Sequence, residues 1–181
     1  MQEIDVLNWI HDTFACTFMD YVSLAFEYVF KLGIIWFIVA LLLMHSKRDR
    51  MFGVVLLLSL ILELVTVYAL KTTIDRDRPY ITYSVDALIT TFSSASLPSE
   101  HTAQLFCVAT LFYVFRREYA PEMFLLAFVV AFTRMYMYAH YPTDIISGAL
   151  LGMAIALFVV FAAMRSHPRT VYIRDPEDGS E

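Results

Sequence analysis

The sequence predicts an all-α integral-membrane protein, a helical bundle of five spanning helices with an N-terminal interfacial helix. Apolar residues make up 59% of the 181 residues and charged residues only 17%, whereas a soluble domain has about 45–50% and about 25%. The apolar residues are concentrated in long runs, as membrane-spanning helices require. Basic residues recur in every second connection between those runs, which is typical of a multi-pass membrane protein.

Spanning the hydrocarbon core takes roughly 20 helical residues. Four runs qualify, over residues 21–44, 51–70, 121–139 and 144–164. A fifth span is predicted over residues 99–117, because its shorter apolar centre reaches membrane length with its flanking residues and the topology then requires it. The first run contains Glu27 and Lys31, which are spaced i,i+4 and could pair on one helix face.

Residues 1–20 have mixed polarity and include Trp9, so we expect an amphipathic segment that lies at the membrane interface. A sixth, irregular span in this segment is the alternative. Residues 21–165 are predicted to form the transmembrane domain, and residues 166–181 a polar cytoplasmic tail. The two cysteines, Cys16 and Cys107, are interpreted as small apolar residues rather than a disulfide framework.

The distribution of basic residues predicts the orientation of the bundle. Five spans place eight of them on one side, which should be cytoplasmic: Lys47, Arg48, Arg50, Arg116, Arg117, Arg165, Arg169 and Arg174. Four more lie on the opposite side, where basic residues should be few: Lys71, Arg76, Arg78 and Arg134. Interfacial anchoring is one explanation for these four, and an anion site is the other. The formal net charge of -5 argues against nucleic acid as the anion.

Three polar stretches lie at the outer ends of the predicted spans: residues 71–79 (KTTIDRDRP), 97–101 (LPSEH) and 133–144 (TRMYMYAHYPTD). Their residue types fit phosphoryl transfer. Arg78 and Arg134 carry planar guanidinium groups that can each bind two phosphate oxygens, and Lys71 adds a point charge. Ser99 is expected to begin a helix, whose N-terminus itself favours anions.

His140 and Asp144 are spaced i,i+4 and so share a helix face or turn. Asp144 could fix the imidazole tautomer and support the cation that forms, while His101 supplies a second imidazole for proton transfer. Each residue alone also has an ordinary structural explanation, such as a helix-terminal charge. A metal site built from these three residues and Glu100 is the chemical competitor. Because no HxxxH or HExxH pair occurs and several cations would crowd the pocket, we expect no metal.

The three stretches resemble, in order, the three motifs of the type 2 phosphatidic acid phosphatase superfamily, the lipid phosphate phosphatases. The matching positions are Lys71, Arg78, Pro79, Pro98, Ser99, His101, Arg134, His140 and Asp144, and the resemblance covers residues 50–165. Thr133 stands where the family has serine, and Glu100 where it has glycine. An acid at position 100, the RDRPY sequence and the short chain are similar to the bacterial undecaprenyl pyrophosphate phosphatase branch.

The resemblance implies that His140 is the nucleophile and forms a phosphohistidine, and that Asp144 orients it. It implies that His101 protonates the leaving group and then activates water. The phosphoryl oxygens would be held by Lys71, Arg78, Ser99 and Arg134. No cofactor is expected.

The implied reaction is hydrolysis of a polyprenyl pyrophosphate to the monophosphate on the extracytoplasmic side of the cytoplasmic membrane. The alternatives are another lipid phosphate (phosphatidic acid, phosphatidylglycerol phosphate or lipid A phosphate) and a non-catalytic lipid-binding or transport protein. Glu100 is expected to pair with Arg76 or Lys71, or to carry a proton; a pair with Arg76 would hold that side chain for the second phosphate. Otherwise Glu100 points into water and favours the helix N-terminus.

Overall fold

The computed structural model describes residues 2–30, 33–88 and 95–166. Within these ranges the regular secondary structure is helical, and one isolated antiparallel β-bridge joins Asp77 to Ala95. The predicted all-α class is therefore confirmed. Lys31 and the tail beyond residue 166 lie outside the described residues, so the proposed Glu27–Lys31 pair and the predicted cytoplasmic tail remain predictions.

Eight α-helices and one short 3₁₀ helix are described. The α-helices are α1 (Glu3–Phe14), α2 (Thr17–Val29), α3 (Ile34–His45), α4 (Arg50–Ile74), α5 (Pro79–Thr82), α6 (Glu100–Phe115), α7 (Ala120–Tyr136) and α8 (Pro142–Ser166), and the 3₁₀ helix, Arg117–Tyr119, precedes α7. Helices α4, α6, α7 and α8 agree closely with four of the predicted spans.

Two of the described helices, α4 and α8, are individually long and apolar enough to cross a membrane. Each has 25 residues, and the mean hydropathies over an 18-residue window are 2.4 and 2.6. The span predicted over residues 21–44 is not one straight helix, because α2 ends at Val29 and α3 begins at Ile34 with a 50° change of direction. The two helices together are long and apolar enough to form one broken span. Gly33 caps α3 with a φ of 62°, a left-handed conformation that a continuous helix cannot contain. The count of five spans remains a prediction.

The outward faces of the long helices carry large apolar side chains. Leu58 of α4, Leu125 of α7 and Phe158 of α8 are 52%, 65% and 63% exposed, which suits contact with lipid rather than water. The inward faces form one apolar core that joins α3, α4, α6, α7 and α8. The protein is therefore a membrane protein with an internal core and a lipid-facing surface.

Helices α6 and α8 approach closely because α8 presents two glycines to α6. A Cβ atom on Gly148 would lie 2.6 Å from the carbonyl oxygen of Ser99, and a Cβ atom on Gly152 would overlap the carbonyl of Ala103. Small residues four apart commonly allow such contact between membrane helices. The approach lets the Ser99 N–H donate to the carbonyl of Asp144 at 3.1 Å, so the second and third polar stretches touch.

Helix α1 packs on the bundle through an apolar face. Its Ile4, Leu7 and Ile10 are buried, and the clusters they join include Tyr138 and Tyr141 from the connection between α7 and α8. The segment predicted to lie at the interface is therefore docked on the same end of the bundle as the polar stretches.

Candidate active site

The site lies where four helix ends meet: the C-terminal ends of α4 and α7 and the N-terminal ends of α6 and α8. Asp75, with a φ of 46°, ends α4 and turns the chain toward Arg78, and Pro79 then begins α5. Ser99 is the N-cap of α6, and Tyr138, with a φ of 53°, redirects the chain between α7 and α8. The structure brings all the predicted catalytic and phosphate-binding residues to this one end.

The His140 ring lies between an arginine and a carboxylate. Its Nε2 is 3.3 Å from Arg78 Nη1, which also donates to the carbonyl of Ala139 at 3.1 Å. Its Nδ1 is 3.7 Å from Asp144 Oδ2, an ion-pair distance that is longer than a hydrogen bond. Asp144 Oδ2 also accepts the N–H of Tyr141 at 2.8 Å, which fixes the carboxylate at the start of α8. Nε2 therefore faces the predicted phosphate-binding residue, and Nδ1 faces the predicted orienting acid.

The environment of His140 favours the neutral ring. Burial lowers the pKa of His140 well below its ordinary value, and the positive charges of Arg78, Lys71 and Arg134 lower it further. An imidazole can attack phosphorus only when one ring nitrogen carries a free lone pair. Burial, together with the cations that would bind a phosphate, therefore favours the unprotonated form of the candidate nucleophile.

Arg134 and His101 share a carboxylate that the sequence analysis did not assign to the site. Arg134 is almost fully buried and donates to Glu27 of α2, to the carbonyl of Ser23 at 3.3 Å and to Thr133 Oγ1 at 3.2 Å. Glu27 Oε2 is also 3.7 Å from His101 Nε2. The signal in the sequence was an acid inside an apolar run, which marks a functional site in membrane helices.

Lys71 and Ser99 are both buried at the same end of the bundle. Lys71 Nζ donates to the carbonyl of Ala95 at 3.2 Å. Ser99 Oγ accepts a hydrogen bond from Thr102 at 3.0 Å and makes no cap to its own helix. The Ser99 hydroxyl oxygen therefore accepts from a side chain of α6 rather than from the backbone N–H groups of its first turn.

Arg76 has partners that differ from the one predicted. It donates to Asp144 Oδ1 at 2.9 Å, to Glu3 Oε2 at 2.6 Å and to Thr143 Oγ1 at 2.7 Å. No ion pair joins it to Glu100 within the described parts of the chain, so the predicted Glu100–Arg76 pair is wrong here. The reason is that docking of α1 brings Glu3 to Arg76, which no local pattern in the sequence could indicate.

The architecture and the site together define a class: a helical membrane protein with a cationic, histidine-containing site at one end of its bundle. The PAP2 superfamily profile matches residues 52–167, which is more than half of the chain. The chain belongs to the PAP2 superfamily, and the predicted family is confirmed.

Curated relatives support the predicted class of phosphoric ester hydrolase. The chain is 37% identical over 87 residues to the bacitracin transport permease protein BcrC of Bacillus licheniformis, covering 48% of this chain and 43% of that one. It is 26% identical to the putative undecaprenyl-diphosphatase YbjG of Escherichia coli, covering 64% and 59%, and 26% identical to the undecaprenyl-diphosphatase BcrC of Bacillus subtilis, covering 54% and 50%. The matches span about half the length of these relatives.

A solved structure is similar over a larger part of both chains. The crystal structure of Aquifex aeolicus LpxE matches with a TM-score of 0.77 and 26% identity, covering 87% of this chain and 94% of that one. The likeness therefore extends beyond the residues 52–167 of the family profile and includes part of the N-terminal helices.

Proposed function

We propose that this protein is a membrane phosphatase that hydrolyses a polyprenyl pyrophosphate of the undecaprenyl type to the monophosphate, through a phosphohistidine on His140. The observation that carries the proposal is the placement of the His140 ring, with Nε2 toward Arg78 and Nδ1 toward Asp144. A nucleophile needs one nitrogen free to attack and the other held by a partner that supports the developing positive charge.

In the first step His140 Nε2 attacks the terminal phosphorus, and the bond from that phosphorus to the bridging oxygen breaks. The bridging oxygen leaves with the lipid monophosphate and takes a proton from His101. Arg78, Arg134 and Lys71 hold the oxygens of the phosphoryl group as its charge is redistributed. Their burial strengthens this effect, because a low dielectric increases the electrostatic interaction.

In the second step water attacks the phosphorus of phosphohistidine and the P–N bond breaks. His101, now neutral, accepts a proton from that water, so both imidazoles return to their starting state and inorganic phosphate is released. The 3.7 Å distance between Glu27 and His101 Nε2 supports a proton-transfer role for His101, since a nearby carboxylate can orient the imidazole ring.

The undecaprenyl-type substrate is supported by the names of the curated relatives from Bacillus subtilis and Escherichia coli. A second candidate is another lipid phosphate, such as phosphatidic acid, phosphatidylglycerol phosphate or lipid A phosphate. The likeness to LpxE favours it, because that likeness covers more of both chains than the likeness to the diphosphatases. One relative is named a transport permease, and a loss of turnover in His140→Ala would argue against a purely transporting role.

The site is proposed to face the outside of the cytoplasmic membrane. The cations Arg50, Arg116 and Arg165 lie at or beside the helix ends opposite the site, and Arg116 pairs there with Asp49 from the connection between α3 and α4. Loops rich in lysine and arginine face the cytoplasm in most membrane proteins, so the opposite end would face outward.

Phosphate release in detergent from a panel of lipids tests the proposal. Undecaprenyl pyrophosphate is expected to react faster than phosphatidic acid, phosphatidylglycerol phosphate and lipid A phosphate, with activity retained in excess EDTA.

His140→Ala should abolish turnover and the acid-labile phosphoenzyme, whereas His101→Ala should slow turnover but still trap phosphoenzyme, because attack does not require the second imidazole. Full activity of His140→Ala would refute the mechanism, and faster release from another lipid would select the second candidate.

A further inference from the structure

Arg76 bridges two carboxylates that belong to distant parts of the chain. Its Nη2 is 2.6 Å from Oε2 of Glu3 in α1, and its Nη1 is 2.9 Å from Oδ1 of Asp144 in α8. The Asp144 carboxylate is fully buried, whereas the Arg76 and Glu3 side chains are about one third exposed. The chain of contacts therefore runs from the rim of the site to the acid beside His140.

The same three residues also hold the backbone next to Asp144. The second carboxylate oxygen of Glu3 accepts the backbone N–H of Thr143 at 3.0 Å and its hydroxyl at 2.7 Å. The Arg76 guanidinium lies over the Tyr141 ring at 3.9 Å from its centroid, close enough for a cation–π interaction. Two residues thus hold the first turn of α8 in place: Glu3 from α1 and Arg76 from the connection after α4.

The charges explain why two residues are needed. Arg76 alone would give Asp144 a cationic partner and so reduce the support that the carboxylate can give to a positive imidazole. Glu3 supplies a second negative charge to the same guanidinium. The trio of Glu3, Arg76 and Asp144 therefore keeps a net charge of about −1 beside His140 while the position of Asp144 stays fixed by charge-assisted hydrogen bonds.

We propose that Glu3 and Arg76 are positioning residues, which hold the Asp144 carboxylate against His140 Nδ1 and make the N-terminal helix α1 part of the catalytic apparatus. The inference rests on the proposed function, because Asp144 matters only if His140 is the nucleophile. It differs from a role for Arg76 in binding the second phosphate of a substrate. Arg76 Nη1 donates to Thr143 and Asp144, and Nη2 donates to Glu3, so these N–H groups are engaged by the chain itself.

Steady-state kinetics on a pyrophosphate lipid separate the two roles of Arg76. Glu3→Gln removes one charge at nearly constant size, and its kcat should fall by about tenfold with an unchanged KM, since small displacements of a catalytic group carry penalties of up to about 100-fold. Arg76→Gln should behave in the same way, and Glu3→Gln should cause no further loss in the Arg76→Gln background. Asp12→Asn is the matched control, because Asp12 is an exposed acid on the same helix.

Three results would overturn the proposal: a kcat for Glu3→Gln equal to that of Asp12→Asn, a raised KM with unchanged kcat in Arg76→Gln, or multiplicative losses in the double variant. If Arg76→Gln does not fold, Arg76→Lys replaces it, and its kcat should fall with KM unchanged because one ammonium group cannot reproduce both contacts. If the wild-type protein releases no lipid phosphate, the proposed function fails. Amide hydrogen exchange of α1 then tests whether Glu3 holds this helix on the bundle. Exchange of α1 in Glu3→Gln should be faster than in Asp12→Asn, and equal rates would refute the role of Glu3.

Discussion

At the scale of single residues, the two imidazoles of the site have different neighbours. His140 Nε2 faces Arg78, whereas His101 Nε2 lies beside the carboxylate of Glu27. In the proposed mechanism the ring beside Arg78 attacks phosphorus, and the ring beside Glu27 transfers the proton.

The first prediction concerns the pH dependence of phosphoenzyme formation. Burial and the nearby arginines lower the pKa of His140, so the ring stays neutral as the pH falls through the ordinary histidine value of about 6.5. The rate of phosphoenzyme formation in rapid-quench experiments should therefore decline only at a lower pH. A decline centred at or above the ordinary value would contradict the role of the cations. Arg78→Lys is the comparison, because it keeps the positive charge and should therefore keep the low pH at which phosphoenzyme formation declines.

The second prediction concerns Glu27, which contacts both Arg134 and His101. Glu27→Gln should lower kcat by roughly ten- to a hundredfold, because misplaced groups cost up to about 100-fold. It should also strengthen inhibition by inorganic phosphate, because a negative charge beside the phosphate site is removed. Steady-state kinetics with added phosphate give both kcat and the inhibition constant for phosphate. Glu118→Gln, an exposed acid at the other end of the bundle, should change neither, and weaker phosphate inhibition in Glu27→Gln would contradict the placement of Glu27.

At the scale of elements, the site depends on the contact between α6 and α8. These helices carry Ser99 and His101 on one side and Asp144 on the other, and the glycines of α8 set their separation. Interiors are packed so tightly that one added methyl group must displace a neighbour. The distances between the site residues are therefore sensitive to Gly148 and Gly152, which lie about one and two helical turns after Asp144.

The third prediction tests this contact with Gly152→Ala. The new methyl group overlaps the carbonyl of Ala103, so α6 and α8 must separate, and overpacking of this kind costs about 1–3 kcal/mol. Phosphate release should fall strongly and the thermal midpoint in detergent should drop. Gly53→Ala is the control, because its methyl group would meet α3 at the end away from the site. It should lower the midpoint with kcat preserved, and wild-type kcat in Gly152→Ala would show that the separation of α6 and α8 does not control the site.

The elements also show what a sequence pattern can miss. The apolar run over residues 21–44 is long enough for one helix, yet the described chain forms α2 and α3 with a 50° bend between them. A hydropathy pattern detects the length of an apolar run but not a change in the direction of the helix. It therefore did not reveal that α3 begins anew after Gly33. The bend matters for the site, because α2 is the helix that carries Glu27 to Arg134.

At the scale of the whole molecule, the bundle has two different ends. One end holds the candidate active site, and the other holds the basic connections, including the Arg116–Asp49 pair. Exposed large apolar side chains lie on the helices between them. A substrate with a polar phosphate head and an apolar tail would be matched by this arrangement, since the head can enter the site while the tail stays beside the helices.

The fourth prediction concerns orientation and uses cysteine labelling in intact cells. In a Cys16→Ser background, a membrane-impermeant maleimide should label Tyr83→Cys, which lies at the end of the bundle that carries the site. It should not label Lys47→Cys, an exposed position in the connection between α3 and α4. Permeabilised cells should show labelling at both positions as the control. The reverse pattern in intact cells would place the site in the cytoplasm and reject the proposed orientation.

The sequence by itself determined the membrane class and the positions of four helices. It also predicted that seven residues lie together at one end of the bundle, where the structure places them: Lys71, Arg78, Ser99, His101, Arg134, His140 and Asp144. These features are local or depend on short spacings: an apolar run needs about 20 residues to span a bilayer, and residues spaced i,i+4 share a face of a helix. Because the three polar stretches sit at alternate helix ends, their meeting followed from connectivity alone.

Only the tertiary structure decided how those residues are partnered. Glu27 joins Arg134, and Arg76 joins Glu3 and Asp144 rather than Glu100. These contacts link residues that are far apart in the chain, so they depend on the docking of α1 and on the bend after α2. Sequence spacing fixes which residues share a helix face, but the charge that meets each of them is set by the packing of helices whose relative positions no local pattern encodes.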